Sequence, residues 1–254
     1  MGNLGWYDLL TCGLALPAST GSDWFICSSN RVYAFTGDGS AADLALNGSP
    51  SHAGHDGSEG GHDHGPSTGR LVQATFSYEA WLAALKAGQT FITNGPALFC
   101  AVEGEGPGAE LQPQRSAVEV VVRWQAARPI HRVEIVADGE VVEREAWAEG
   151  RTEGTLRRKV DVSERVWLAA RCFGDGRDSF GHFTWAHTSP VSFRRAAGGA
   201  HSAQTRAAAA RFVQQLDAAV EWVRTKGHFR ESADRDRMIA LFQGGRDYFA
   251  TRAA

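Results

Sequence analysis

Hydrophobic and polar positions along this chain change pattern four times. The first 35 residues hold an apolar stretch, WYDLLTCGLALPAS, a Gly-Ser-Asp turn at Gly21–Asp23 and a strand-like run, NRVYAF. From residue 36 to 69 large apolar side chains almost vanish, leaving Gly, Ser, His and Asp, a composition that predicts a disordered His-rich insertion. Order then returns. FSYEAWLAALKAGQT predicts a helix with Ser77 as N-cap, Trp81, Leu82 and Leu85 on one face and Gly88 as the stop. FITNGPALFCAVEG predicts strand, turn and strand, with Asn94 shaping the turn.

Beyond residue 117 the period becomes two. VEVVVRW puts Val118, Val120 and Val122 on one face, and HRVEIVADGEVV is a hairpin signal around Asp138-Gly139. TLRRKVDV and RVWLAARCF follow, so five or six short strands predict an antiparallel β-sandwich. After residue 196 the pattern is helical: Phe212, Leu216, Val220 and Val223 form one stripe ending at Gly227. A second helix, ADRDRMIALFQGGRDYFATR, is weakened by Gly244 and Gly245.

Composition adds exclusions rather than a function. With 254 residues and a net charge of −3, the chain can bury a sizeable core and carries no global field for nucleic acid or anionic membrane. Its N-terminus lacks the basic and apolar regions of a signal peptide, which leaves the cytoplasm as the default compartment. Cys12, Cys27, Cys100 and Cys172 form no C-x-x-C pair; Cys100 and Cys172 read as buried thiols, and a Cys12–Cys27 bridge is conceivable.

Few residues carry candidate chemistry. Asp23, on its Gly-Ser turn, could bind a hard or borderline cation, although an Asx-turn or cap is the simpler reading. His52, His55, His62 and His64 could bind zinc, nickel or copper, but their glycine-rich surroundings favour a solvated, low-affinity tract. His187, in FTWAHTSPVSF, is either a hydrogen-bond hub tying the sandwich to its neighbour or a residue facing a cleft, and the hub is favoured. Arg31 with Asn30 could hold an anionic or carbonyl group, or make an ion pair near the sheet edge.

Taken in order, WYDLLTCGLALPASTGSDW, SSNRVYAF, FSYEAWLAALKAGQTFITNGPALF and WAHTSPVSF resemble the CehA/McbA family of metallohydrolases, a branch of the polymerase-and-histidinol-phosphatase (PHP) superfamily. The resemblance implies an α+β chain: the end of a PHP-type β/α barrel (1–35), the insertion (36–69), a helix and strand completing the barrel side (70–98), a β-sandwich (99–196) and C-terminal helices (197–254). It also implies a centre of zinc, manganese or iron that makes hydroxide from water and polarises an ester, carbamate or phosphoester of a small-molecule substrate. Of the family's ligands only the late Gly-Ser-Asp maps here, onto Asp23; Phe25 stands where a further His often follows. Arg31 and His187 become candidates for the wall of the cleft. A metal site needs about three protein ligands, so the chain is expected to hydrolyse little by itself and to self-associate through an exposed, truncated barrel. The alternative is a non-catalytic sandwich module for binding or interaction.

Overall fold

A computed structural model of the chain describes residues 4–21, 29–36, 45, 77–194 and 201–254. Asp23, Cys27 and the histidines at 52, 55, 62 and 64 lie outside these residues. The architecture is mixed α+β: one large sheet, a short N-terminal helix against it and a pair of C-terminal helices.

The elements run α1 (Leu4–Thr11), β1 (Arg31–Ala34), α2 (Tyr78–Ala87), β2 (Thr90–Thr93), β3 (Ala97–Val102) and β4 (Glu110–Leu111). They continue through β5 (Ala117–Ala137), β6 (Glu140–Asp161), β7 (Trp167–Arg177), β8 (Phe183–Thr188), β9 (Val191–Phe193), α3 (Ala203–Thr225) and α4 (Ser232–Ala253). In the sheet the order is β1-β2-β8-β7-β5-β3, with β6 on β5 and the short β4–β9 pair beside β7.

The expected short strands are instead dominated by one long hairpin, with 21 residues in β5 and 22 in β6. VEVVVRW and the first strand of HRVEIVADGEVV read as separate strands, yet β5 runs through both and crosses the residues between them by bulging. The register with β6 shifts between Gln125 and Ile130 and again before Arg132, so exposed Pro129, which has no N–H to donate, is carried at an irregularity. Around that bend β5 changes partner. Residues 120–125 pair with β3, and residues 132–137 pair with β7. The sheet therefore folds back over a single core containing Leu98, Val120, Val122, Trp124, Ile130, Ile135, Leu156, Leu168 and Cys172. The expected domain boundary after residue 98 falls inside β3, and β2 pairs directly with β8.

Local chemistry explains the main turns. Asp138 and Gly139 both take positive φ, 49° and 87°, as a two-residue turn between twisted strands requires. Ser77 accepts the Ala80 N–H at 3.2 Å, and Gly88 closes α2 in the left-handed region with φ 72°. Gly154 lies opposite Trp124, whose indole occupies the space a Cβ would need. Cys12, Cys100 and Cys172 are buried free thiols, the last two pushed up to about 12 by burial.

The C-terminal pair forms as the pattern predicts, except that α4 runs unbroken through Gly244 and Gly245. Phe212 of α3 stacks on Phe249 of α4 at 4.5 Å, and Arg246 pairs with Asp217 at 2.6 Å. Helix α1 joins these helices to the sheet. Its Tyr7 and Leu10 pack with Val136 and Trp167, while Leu9 and Cys12 pack with α3 and α4. Ion pairing of Asp8 with Arg211 and a bond from Arg252 Nε to the Cys12 carbonyl at 3.0 Å complete the joint.

Candidate functional site

Adjacent residues in a strand face opposite sides, so the register sorts the candidate side chains. Glu134, Arg171, His187, Ile92 and Val32 align across β5, β7, β8, β2 and β1 on the face that receives α1. The neighbouring row, Val133, Cys172, Ala186, Thr93 and Arg31, is on the core side. Arg31 and His187, expected on the wall of one cleft, therefore lie on opposite faces. Arg31 is exposed on an edge strand and donates from Nη1 to the Ser29 carbonyl at 3.2 Å.

His187 is 3% exposed. Its Nδ1 lies 2.6 Å from the Thr188 carbonyl, which can only accept, so Nδ1 carries the proton. Nε2 is then the acceptor for the Tyr7 hydroxyl at 2.5 Å, and the Tyr7 oxygen in turn accepts from Arg171 Nη1 at 3.3 Å. Burial pulls the imidazole down to about 4; the Thr188 bond opposes this, and the nearby Arg171 charge adds to it. Trp6 meets the ring edge-on, centroids 5.2 Å apart. With both nitrogens engaged and no water access, His187 in this arrangement orients α1 rather than reacting.

Two residues further on, Ser189 fixes the chain that follows α1. The Ala18 N–H donates to Ser189 Oγ at 2.8 Å, Thr90 Oγ1 donates to the Ala18 carbonyl at 3.1 Å, and the two hydroxyls are 2.7 Å apart. All three residues are buried. The backbone heading toward Gly21 is thus held on β2 and on the segment after β8.

Arg171 continues the polar row into β5. Its Nε donates to Glu134 Oε2 at 2.6 Å, and Arg144 Nε donates to Oε1 at 2.8 Å. Tyr7, Arg171 and Glu134 were not singled out by the sequence reading. Tyr7 carried no local signal; that of the other two was a charge inside an apolar run, Glu134 in VEIV and Arg171 in LAARCF. A charge there is tolerated when it is paired.

A cleft of about 260 Å³ opens elsewhere, between the β2–β3 turn, the β5 bend and the β7–β8 loop, lined in part by Asn94, Arg128, Arg177 and Asp178. Its principal polar groups bond inward. Asn94 donates to the Phe183 carbonyl at 2.8 Å and accepts from the Trp185 N–H at 2.8 Å, and Arg128 donates to the Arg177 carbonyl at 2.8 Å. Among the described residues no group of three or more His, Cys, Asp or Glu side chains is placed to hold a metal ion, and no helix is long and apolar enough to cross a membrane. Comparison with family models, curated proteins and solved structures gives no significant match to this chain.

Proposed function

We propose that the chain is the C-terminal part of a metal-dependent hydrolase of the CehA/McbA type, acting on ester, carbamate or phosphoester bonds and hydrolysing little by itself. The observation that carries this reading is the convergence of three stretches on which the resemblance rests. Tyr7 of WYDLLTCGLALPAS bonds His187 of WAHTSPVSF, and Ala18 of the first stretch bonds Ser189 of the second and Thr90 of the α2–β2 stretch, so two buried hydrogen-bonded sets lie two residues apart along 187–189. A ligand-bearing turn at Asp23 needs such a held backbone, because a metal carboxylate tolerates little displacement.

In this reading the folded-back sheet is the family's sandwich, α3 and α4 are its helical tail, and α1 with β1, α2 and β2 is the barrel side. His187 holds α1, Ser189 and Thr90 position the segment before Asp23, and Arg31 meets the substrate. The described residues do not by themselves supply a ligand set for zinc, manganese or iron, so Asp23 would act with ligands from outside them, and no step is derived through the metal. The test is Asp23→Ala in a form that carries the family's H-x-H region. Metal-dependent turnover of an aryl ester or carbamate should be abolished, and unchanged turnover would overturn the proposal.

A second reading, a non-catalytic binding module, draws on the same site. Its polar groups are satisfied internally, as in a recognition scaffold whose contacts are made by loops. Calorimetric binding of a sugar or protein by the chain alone would favour it.

A further inference from the structure

Glu134 is 1% exposed, and three guanidinium groups surround it, Nε to carboxylate oxygen: Arg132 at 3.0 Å, Arg144 at 2.8 Å and Arg171 at 2.6 Å. One carboxylate cannot balance three cations, so the cluster carries an excess of two positive charges in a chain whose net charge is −3. The three are not equally satisfied. Arg171 makes aligned bonds to Glu134 and Tyr7, and Arg144 makes one to Glu134. Arg132 Nε is buried and close to Glu134, yet it makes no aligned hydrogen bond.

Among the described residues neither Arg132 nor Arg144 makes any further hydrogen bond, so the four Nη N–H donors of each are unused. Both side chains reach solvent, at 42% and 55% exposure. Phe173 holds the geometry, with Arg132 Cζ 4.5 Å and Arg171 Cζ 5.4 Å from its ring centroid. A buried acid beneath, an aromatic ring beside and unused guanidinium donors facing water make a preorganised receptor. Planar forks of this kind match oxyanions bidentately, where a lone surface cation would not.

We propose that Arg132 and Arg144, backed by Arg171, Glu134 and Phe173, bind a small oxyanion carrying two or more negative charges, of the phosphate or polycarboxylate type. The inference is independent of the hydrolase reading, since it involves neither Asp23 nor a metal.

Isothermal titration of the whole chain at low ionic strength tests it, with pyrophosphate and citrate as probes and sodium chloride as the ionic-strength control. Saturable binding by either probe supports the site, and the tighter probe identifies the anion type. Arg132→Gln and Arg144→Gln should each weaken binding about tenfold, the loss of one charge-assisted contact. Arg157→Gln, which removes a cation paired with Glu119 on another part of the sheet, should leave it unchanged. Absence of saturable heat to about 20 mM overturns the proposal, as does wild-type affinity in the Arg132→Gln/Arg144→Gln double variant. If circular dichroism shows the double variant unfolded, the half-exposed Arg144→Gln variant alone decides, and unaltered affinity there counts against the site.

Discussion

Removing one hydroxyl should loosen the joint between α1 and the sheet. Tyr7→Phe keeps the ring, and with it the packing on Trp167 at 5.0 Å and on Trp6 and His187 at 5.6 Å each. Apolar burial is therefore nearly constant. What disappears is the donor to His187 Nε2 at 2.5 Å and the acceptor for Arg171 at 3.3 Å. At 3% exposure His187 has no water to take the place of the hydroxyl, and a buried acceptor left without a donor costs about 1–3 kcal/mol. The Arg171 contact is long and partly solvated and adds a few tenths at most. The expected loss is about 2 kcal/mol, a large share of a domain stability of roughly 5–15 kcal/mol. Urea denaturation of the two proteins near neutral pH measures it, with a shifted midpoint and an unchanged slope. A difference below about 0.5 kcal/mol, the range of an ordinary surface change, would refute the claim that this bond anchors α1.

The titration of His187 gives a second test. Its imidazole is held below the ordinary 6.5, at about 4, so its contribution is complete above pH 6.5 and is lost as pH falls toward 4. Asp138 acts in the opposite sense: burial raises its carboxyl from 3.8 to about 6, so its contribution is present below 3.8 and lost as pH rises through about 6. An Asp138→Asn protein should therefore lose roughly 3 kcal/mol between pH 6.5 and 4, at about 1.4 kcal/mol per pH unit, while wild type falls less steeply. A flat profile in Asp138→Asn would contradict the neutral, buried His187. Gly154→Ala should cost about 1–3 kcal/mol in thermal or urea unfolding, because the new Cβ would stand 2.4 Å from Trp124 Cζ2; a neutral substitution would mean that the indole moves freely. Glu134→Gln strips the counter-charge from three guanidinium groups and should cost about 3 kcal/mol, against less than about 0.5 kcal/mol for Glu119→Gln at an exposed pair; equal costs would show the cluster to be energetically ordinary.

Where local chemistry decides an element, it was legible in the sequence. Ser77 and Gly88 bound α2 as their side chains and backbone freedom require, and Asp138-Gly139 forms its hairpin. Phe212, Leu216, Val220 and Val223 do face inward on α3. Long-range partners decide the rest. VEVVVRW and the first strand of HRVEIVADGEVV read as separate strands, but pairing with β6 on both sides of Pro129 makes them one. Helix α1 has only eight residues and is apolar toward both the sheet and the C-terminal helices, so no single-faced period marks it. The hub at His187 was expected as a tie between parts of the protein, but its partner Tyr7 is 180 residues away, and no local pattern reports such a contact. The charges of the row from Glu134 to His187 become one set only once β5, β7 and β8 are side by side.

The hydrolase reading is tested most directly by the DNA upstream of Met1. The proposal predicts an open frame that encodes a strand followed by His-x-His, with further His and acidic residues before Trp6, which would give Asp23 its fellow ligands. An in-frame stop immediately before Met1 would contradict it and leave Asp23 as a turn residue of a binding module.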